Sequence, residues 1–278
     1  MERESLKGIM ISHCRKLTHS ISERKIQTIL PLSIEEIEQL KRSSGKADEE
    51  YLFADSSTGL GVNFFSIYKL CHKGCSINYE WKKESPLLIG GKSNLDIEVG
   101  ENGIIKYYES KFLEPYYMSN SKFSKSYFLC DNYSFSKECS KRIIKFIDSN
   151  ITDIKYYNIS QLVRHLLAIV RFINNNQDQY DNKEVELISI NWEMTDSFKQ
   201  ELTNIVSKRS LSYLNKRIIT LENEKKKAEK YMNKLIDILN PELNGNIRLS
   251  FKTETYNEKI NELEEGDHLK EFKKQYFL

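Results

Sequence analysis

Residues 95–115, LDIEVGENGIIKYYESKFLEP, hold acidic side chains and a lysine at spacings that suit phosphodiester chemistry. Asp96 and Glu98 alternate with Leu95, Ile97 and Val99, so a strand here turns the acids to one face and the apolar residues to the other. Gly100-Glu101-Asn102-Gly103 supplies turn chemistry, and residues 104–112 form a second strand rich in β-branched and aromatic residues. On that strand Glu109 and Lys111 share a face, because side chains repeat every second residue. Carboxylates on neighbouring strands make an incomplete oxygen cage of the kind Mg²⁺ accepts, with Mn²⁺ as a possible substitute; water and phosphate oxygens complete the shell. Such an ion polarises a phosphodiester and lowers the pKa of a bound water, while a lysine holds that water. The competing reading is the wet face of an ordinary hairpin. Against it, Ile104, Ile105, Tyr107, Tyr108 and Phe112 mark the second strand as internal, where a glutamate and a lysine are costly unless paired or metal-bound.

Asp96 followed by Glu109-Ser110-Lys111 resembles the D…(D/E)xK signature of the PD-(D/E)XK nuclease superfamily, the restriction-endonuclease-like fold. The string ESKFLEP is similar to a bacterial restriction-endonuclease group. One departure is plain: Leu95 stands where the name-giving proline would be. The likeness covers about residues 60–195 and implies Mg²⁺-dependent hydrolysis of DNA on an αβββαβ core with a mixed sheet. It further implies Asp96 and Glu109 as metal ligands, the Ser110 carbonyl as a third, and Lys111 as the residue that orients the attacking water. Glu98 is either a second metal ligand or a residue that tunes Lys111. Relatives often bring a glutamate from the first core helix; Glu80 is the candidate, with Glu84 the runner-up. Some bring a glutamine from the second core helix in a Q-x-x-x-Y pattern. Gln161 matches it, but His165 stands where the tyrosine would be.

The elements that would position these groups can be read around the hairpin. Ser33 caps a short helix over residues 34–41, after an N-terminal helical arm. Residues 55–61, DSSTGLG, are turn-rich and lack the Lys-Ser/Thr ending of a phosphate-binding loop. Residues 63–81 read as a helix broken near Gly74 that carries Glu80, and residues 87–91 as a short strand. Residues 116–133 interleave Tyr, Phe and Lys, which suits nucleic-acid contact or simply fills a core. Lys137, Lys141, Arg142 and Lys145 punctuate an amphipathic helix as candidate phosphate contacts. Residues 159–173, ISQLVRHLLAIVRFI, form a largely buried helix bearing Gln161 and His165, and residues 184–192 the fourth strand. Leu211, Leu214, Ile218, Leu221, Lys225, Ala228, Met232, Leu235 and Leu239 then recur in steps of three and four, a heptad seam for a homodimer or for a partner helix in the same chain. Residues 246–256 read as a strand and 258–276 as a last helix. The organisation expected is an N-terminal helical arm (1–50), a nuclease core (51–195) and a helical extension (196–278).

Composition sets bounds on this. The 278 residues carry 29% charged and 39% hydrophobic side chains and a net charge of +2, so any nucleic-acid surface is a local patch. No apolar run approaches a membrane span and the start lacks a secretory core, so the expected location is cytoplasmic. Cys14, Cys71, Cys75, Cys130 and Cys139 are odd in number and irregularly spaced, which favours free thiols over a disulfide framework or a zinc site. The expectation is a DNA endonuclease of restriction or phage-defence type, with DNA as partner and a cognate methylase as a candidate second one. Its rivals are a nuclease-fold protein that binds DNA without cutting it and a coiled-coil interaction protein.

Overall fold

One five-stranded mixed sheet, in the order β1-β2-β3-β4-β5, organises the chain. The computed structural model describes residues 3–18, 28–41, 52–81 and 84–277. Residues 43–50 and the Cys14 side chain lie outside what the structure describes. In order come α1 (Arg3–Thr18), α2 (Ile34–Lys41), α3 (Ser57–Cys71), β1 (Ser76–Trp81), β2 (Leu95–Glu101) and β3 (Ile104–Lys111). Then follow α4 (Lys137–Asn150), α5 (Ile159–Asn175), α6 (Gln177–Tyr180), β4 (Glu184–Asn191), α7 (Asp196–Ile205) and α8 (Lys208–Leu239). The chain ends with β5 (Arg248–Thr255), α9 (Tyr256–Lys259) and α10 (Asp267–Tyr276). The class is α+β. β1, β2 and β3 form an antiparallel meander, and β4 and β5 lie parallel to β3. Each parallel step needs a crossover, supplied by α4 to α6 before β4 and by α7 and α8 before β5. Among the described residues no helix is long and apolar enough to cross a membrane.

α3 and α10 cover one face of the sheet, joined by Phe64 against Phe272 and by Asn63 donating to the Tyr276 hydroxyl at 2.9 Å. α5 and α8 cover the other. Leu95, Ile97 and Val99 are buried towards α3, which leaves Asp96 and Glu98 to the α5 face. β4 is buried along nearly its whole length, as a strand covered on both faces should be.

The start of α3 departs from the expected loop. Ser56 caps the helix by accepting the Gly59 amide at 3.3 Å, so the small residues form its first turn. At Gly61 α3 runs close to β2: a Cβ would stand 3.0 Å from Ile97 Cδ1, so the tip of that side chain would have to give way. The helix then ends at Cys71, and the part of the expected helix that carries Glu80 is the edge strand β1. Its Ile77, Tyr79 and Trp81 alternate with polar residues, a period of two that the broken-helix reading passed over. Residues 87–91 form bends, not a strand, and hang on the 129–132 turn through Leu88 N donating to Asn132 O at 2.7 Å.

The segment after residue 195 is not an appendage. It delivers β5 beside β4, and Tyr256, directly after β5, accepts or donates a 2.8 Å hydrogen bond with Ser110 on β3. The heptad seam is already occupied: Leu214, Leu221, Ala228, Met232, Leu235 and Leu239 are buried within their own chain, so these side chains are not a free dimer face. Of the 116–133 aromatics, Tyr116, Tyr127 and Tyr133 turn inward and are buried, while Tyr117 is half-buried and Phe128 exposed. Tyr116 donates to Trp192 O at 3.1 Å, and Phe123 and Tyr127 pack on the Arg164 guanidinium. Lys137, Lys141, Arg142 and Lys145 are exposed on α4, and Cys71, Cys75, Cys130 and Cys139 are free thiols.

Candidate functional site

β2 and β3 part company at the site. Their ladder ends at the Ile97–Tyr108 pair, and beyond it the Asp96 carboxylate accepts the Ser110 amide at 2.8 Å. This places Asp96 across from Glu109 on the α5 face. Glu80 extends the row at backbone level, since it lies between the paired positions Tyr79–Ile97 and Trp81–Leu95, opposite Asp96. Its φ of 53° is strained for a residue with a side chain, and Asn94 Nδ2 donates to its carboxylate. Glu98 is drawn the other way, accepting from Asn78 Nδ2 at 2.8 Å. Ser110 points its hydroxyl to the opposite face, donating to Ser57 O at 3.0 Å, so only its carbonyl remains as a possible ligand.

Glu109 is the centre of the arrangement and is 2% exposed. One carboxylate oxygen is ion-paired with Lys111 Nζ. The other lies 2.9 Å from His165 Nε2, and both side chains are buried. His165 is fixed from behind by Ser93 Oγ, 2.5 Å from its Nδ1. A cavity of about 100 Å³ opens beside Glu109 and Lys111, lined further by Glu114, Gln161, Ser189 and Asn191. That space holds several waters or a hydrated ion. Gln161 reaches it from the first turn of α5, its Oε1 accepting from Asn158 Nδ2 at 2.6 Å. Asp96, Glu98 and Glu80 stand outside its lining.

Burial alone would push the Glu109 carboxyl up; Lys111 and His165 overcome it and hold the group well below the usual carboxylate range. Burial works to lower Lys111 as well, and Glu109, Asp96 and Glu114 outweigh it, so the ammonium persists above the usual lysine range. Lys111 is therefore a cation and donor in this site, not a base. The sign of the pH dependence follows. Glu109, depressed, stabilises the fold fully above its unfolded pKa near 4.5 and loses this as pH falls through its folded value. Lys111, raised, stabilises fully below its unfolded pKa near 10.5 and loses this as pH rises through its folded value. Urea midpoints of the chain and of a Glu109→Gln/Lys111→Met double variant should thus differ by a constant amount between those two pH values and converge outside them. A difference unchanged at pH 3 would show that the charges contribute nothing.

Among the described residues no three His, Cys, Asp or Glu side chains converge as a complete metal cage. Two carboxylates on adjacent strands suffice for Mg²⁺, which commonly takes one or two and fills its shell with water and phosphate oxygens. The donor set fits that mode by its chemistry: Glu109 is a buried carboxylate on the cavity wall, and Asp96 is a second one on the adjacent strand, its Oδ2 accepting the Ser110 amide.

Two buried charges from α8 hold the walls of the cavity, and neither was singled out in the sequence as a wall residue. Arg217 donates to Pro115 O at 2.8 Å and to Met118 O, and stacks 4.2 Å over Tyr156. Glu224 accepts the amides of Lys155, Tyr156 and Tyr157 at 2.8, 2.9 and 2.8 Å. The signal available was their spacing of seven residues, which puts both on the buried side of the helix beside Leu214 and Leu221. Glu114, inside the ESKFLEP string, also reaches the cavity, with its carboxylate accepting the Phe112 amide at 2.9 Å. No family model matches the chain, and no curated protein and no solved structure is significantly similar to it.

Proposed function

We propose that the chain is a Mg²⁺-dependent DNA endonuclease of the restriction-endonuclease-like fold, of restriction or phage-defence type. The observation that carries the reading is the Lys111 ammonium held against Glu109 on the cavity wall, with Asp96 on the neighbouring strand tied to the amide between them. The element order supports it as well: a helix, a three-stranded meander, a buried helix and a parallel fourth strand.

Asp96 and Glu109, with the Ser110 carbonyl, would hold the ion. When bound, it polarises the phosphodiester and makes a coordinated water more acidic. Lys111, freed from Glu109 as substrate enters, donates to the attacking water and to the charge gathering on the phosphorane. Its fixed charge works in a site that is largely screened from solvent. His165 keeps the Glu109 carboxylate ionised and aimed, and Gln161 offers an amide to a phosphate oxygen.

A second reading has its own observation: Glu109 is engaged by Lys111 on one side and His165 on the other. A protein that binds DNA without cutting it could keep those pairs permanently. Incubating supercoiled plasmid with the chain and Mg²⁺ or Mn²⁺, against EDTA, separates the two. Nicking or linearisation that EDTA abolishes is expected; binding without cleavage in either metal overturns the hydrolase.

A further inference from the structure

The first turns of α8 form a second concave site next to the cavity. Tyr117, Arg209, Ser210, Tyr213 and Arg217 line an open pocket of about 330 Å³. This lies in the size range of small-molecule sites. The two pockets share a wall: Arg217 grips the carbonyls of Pro115 and Met118, and Pro115, Met118 and Tyr156 line the Glu109–Lys111 cavity. The shared wall is built rather than incidental, because Arg217 is 4% exposed and Glu224 fixes the backbone of Tyr156.

Charge and ring chemistry point to one class of occupant. From Lys208 to Leu221, α8 carries Lys208, Arg209, Lys216 and Arg217 and no carboxylate. Arg209 is exposed and has no ion-pair partner among the described residues. Tyr213 is 46% exposed, with its hydroxyl 3.4 Å from that of Tyr156 and its ring left on the surface. A free cation beside an exposed aromatic ring in a concavity matches a phosphate joined to a base. A base stacked inside a duplex cannot offer its face to a ring, whereas an unpaired one can.

We propose that this pocket binds an unpaired nucleotide of a DNA strand, its base against Tyr213 and Tyr117 and its phosphate on Arg209. The proposal deepens the endonuclease reading and rests on it only for the meaning of the adjoining cavity. It makes the substrate class DNA with a single-stranded, flapped or locally opened segment, not an intact duplex alone.

Fluorescence anisotropy of the full chain in EDTA tests it without requiring cleavage. The probes are a labelled single-stranded DNA oligonucleotide and the same sequence as a blunt duplex. Tyr213→Ala should weaken single-strand binding tenfold or more and leave duplex binding within twofold, since stacking on a ring is available only to unpaired bases. Tyr213→Phe keeps the ring and should bind within twofold of the original chain, which separates stacking from a folding defect. Arg209→Ala should weaken single-strand binding and flatten its salt dependence by about one phosphate contact. The proposal is overturned if the original chain does not bind the single strand. It is equally overturned if Tyr213→Ala binds it as well as the original chain does, or if single strand and duplex are lost together. Discrimination that holds in a chain that cuts nothing keeps the pocket and removes the hydrolase; cleavage with no effect of Tyr213→Ala does the reverse.

Discussion

Lys111→Ala should reduce Mg²⁺-dependent DNA cleavage by at least about 10²–10³-fold, the loss typical when a preorganised donor to developing charge is removed. The reasoning starts from burial. Glu109 is 2% exposed, and its ionised form depends on Lys111 and His165. Removing Lys111 strips the site of its permanent cation and leaves a buried carboxylate with one partner. Breaking a buried pair this way costs about 3–5 kcal/mol, so part of any lost activity could be lost fold. Lys111→Arg resolves this, because it keeps the charge near Glu109 while changing its shape and reach. A folded Lys111→Arg chain that loses most of its cleavage assigns the effect to the position of the ammonium. Full cleavage by a Lys111→Ala chain whose circular dichroism is unchanged would remove Lys111 from the mechanism.

The sequence carried the local half of this arrangement. Strict alternation in 95–99 and the Asn102-Gly103 turn set β2 and β3 and the common face of Asp96, Glu109 and Lys111 before any tertiary contact is considered. The apolar stripe of 159–173 likewise announced α5, which runs two residues further. What could not be read is set by contacts between distant segments. Small residues normally favour loops, yet Ser57-Thr58-Gly59 begin a helix because Ser56 caps it and β2 accepts the close approach at Gly61. The seam of α8 has the spacing of a coiled coil, and only the packing of its own chain decides that the groove it fills is internal. Nothing in the spacing of His165 and Glu109 says that they meet, since α5 reaches β3 through the crossover rather than through a local turn. Glu80 shows what a wrong period changes: the sequence reading makes it the glutamate of the first core helix, whereas on the edge strand it stands across from Asp96.

Glu224→Ala should be among the most destabilising single substitutions outside the apolar core. The carboxylate is 4% exposed and accepts three consecutive amides, those of Lys155, Tyr156 and Tyr157, which precede α5. Each buried donor left unmet costs about 1–3 kcal/mol, and water entering the gap recovers part of it, so a net loss of about 3–5 kcal/mol is expected. For a chain of 278 residues that lowers the thermal midpoint by roughly 5–9 °C. Glu224→Gln should fall between, because its carbonyl still accepts while its amide group meets N–H donors it cannot bond. Glu222→Ala, an exposed position on the same helix, should change stability by about 0.5 kcal/mol or less. The consequence reaches the site, since Tyr156, Tyr157 and Asn158 wall the cavity beside Glu109 and Lys111. If α8 holds that wall in place, a folded Glu224→Gln chain should also lose cleavage well below its melting temperature. Unaltered cleavage there would make α8 a support for the fold alone.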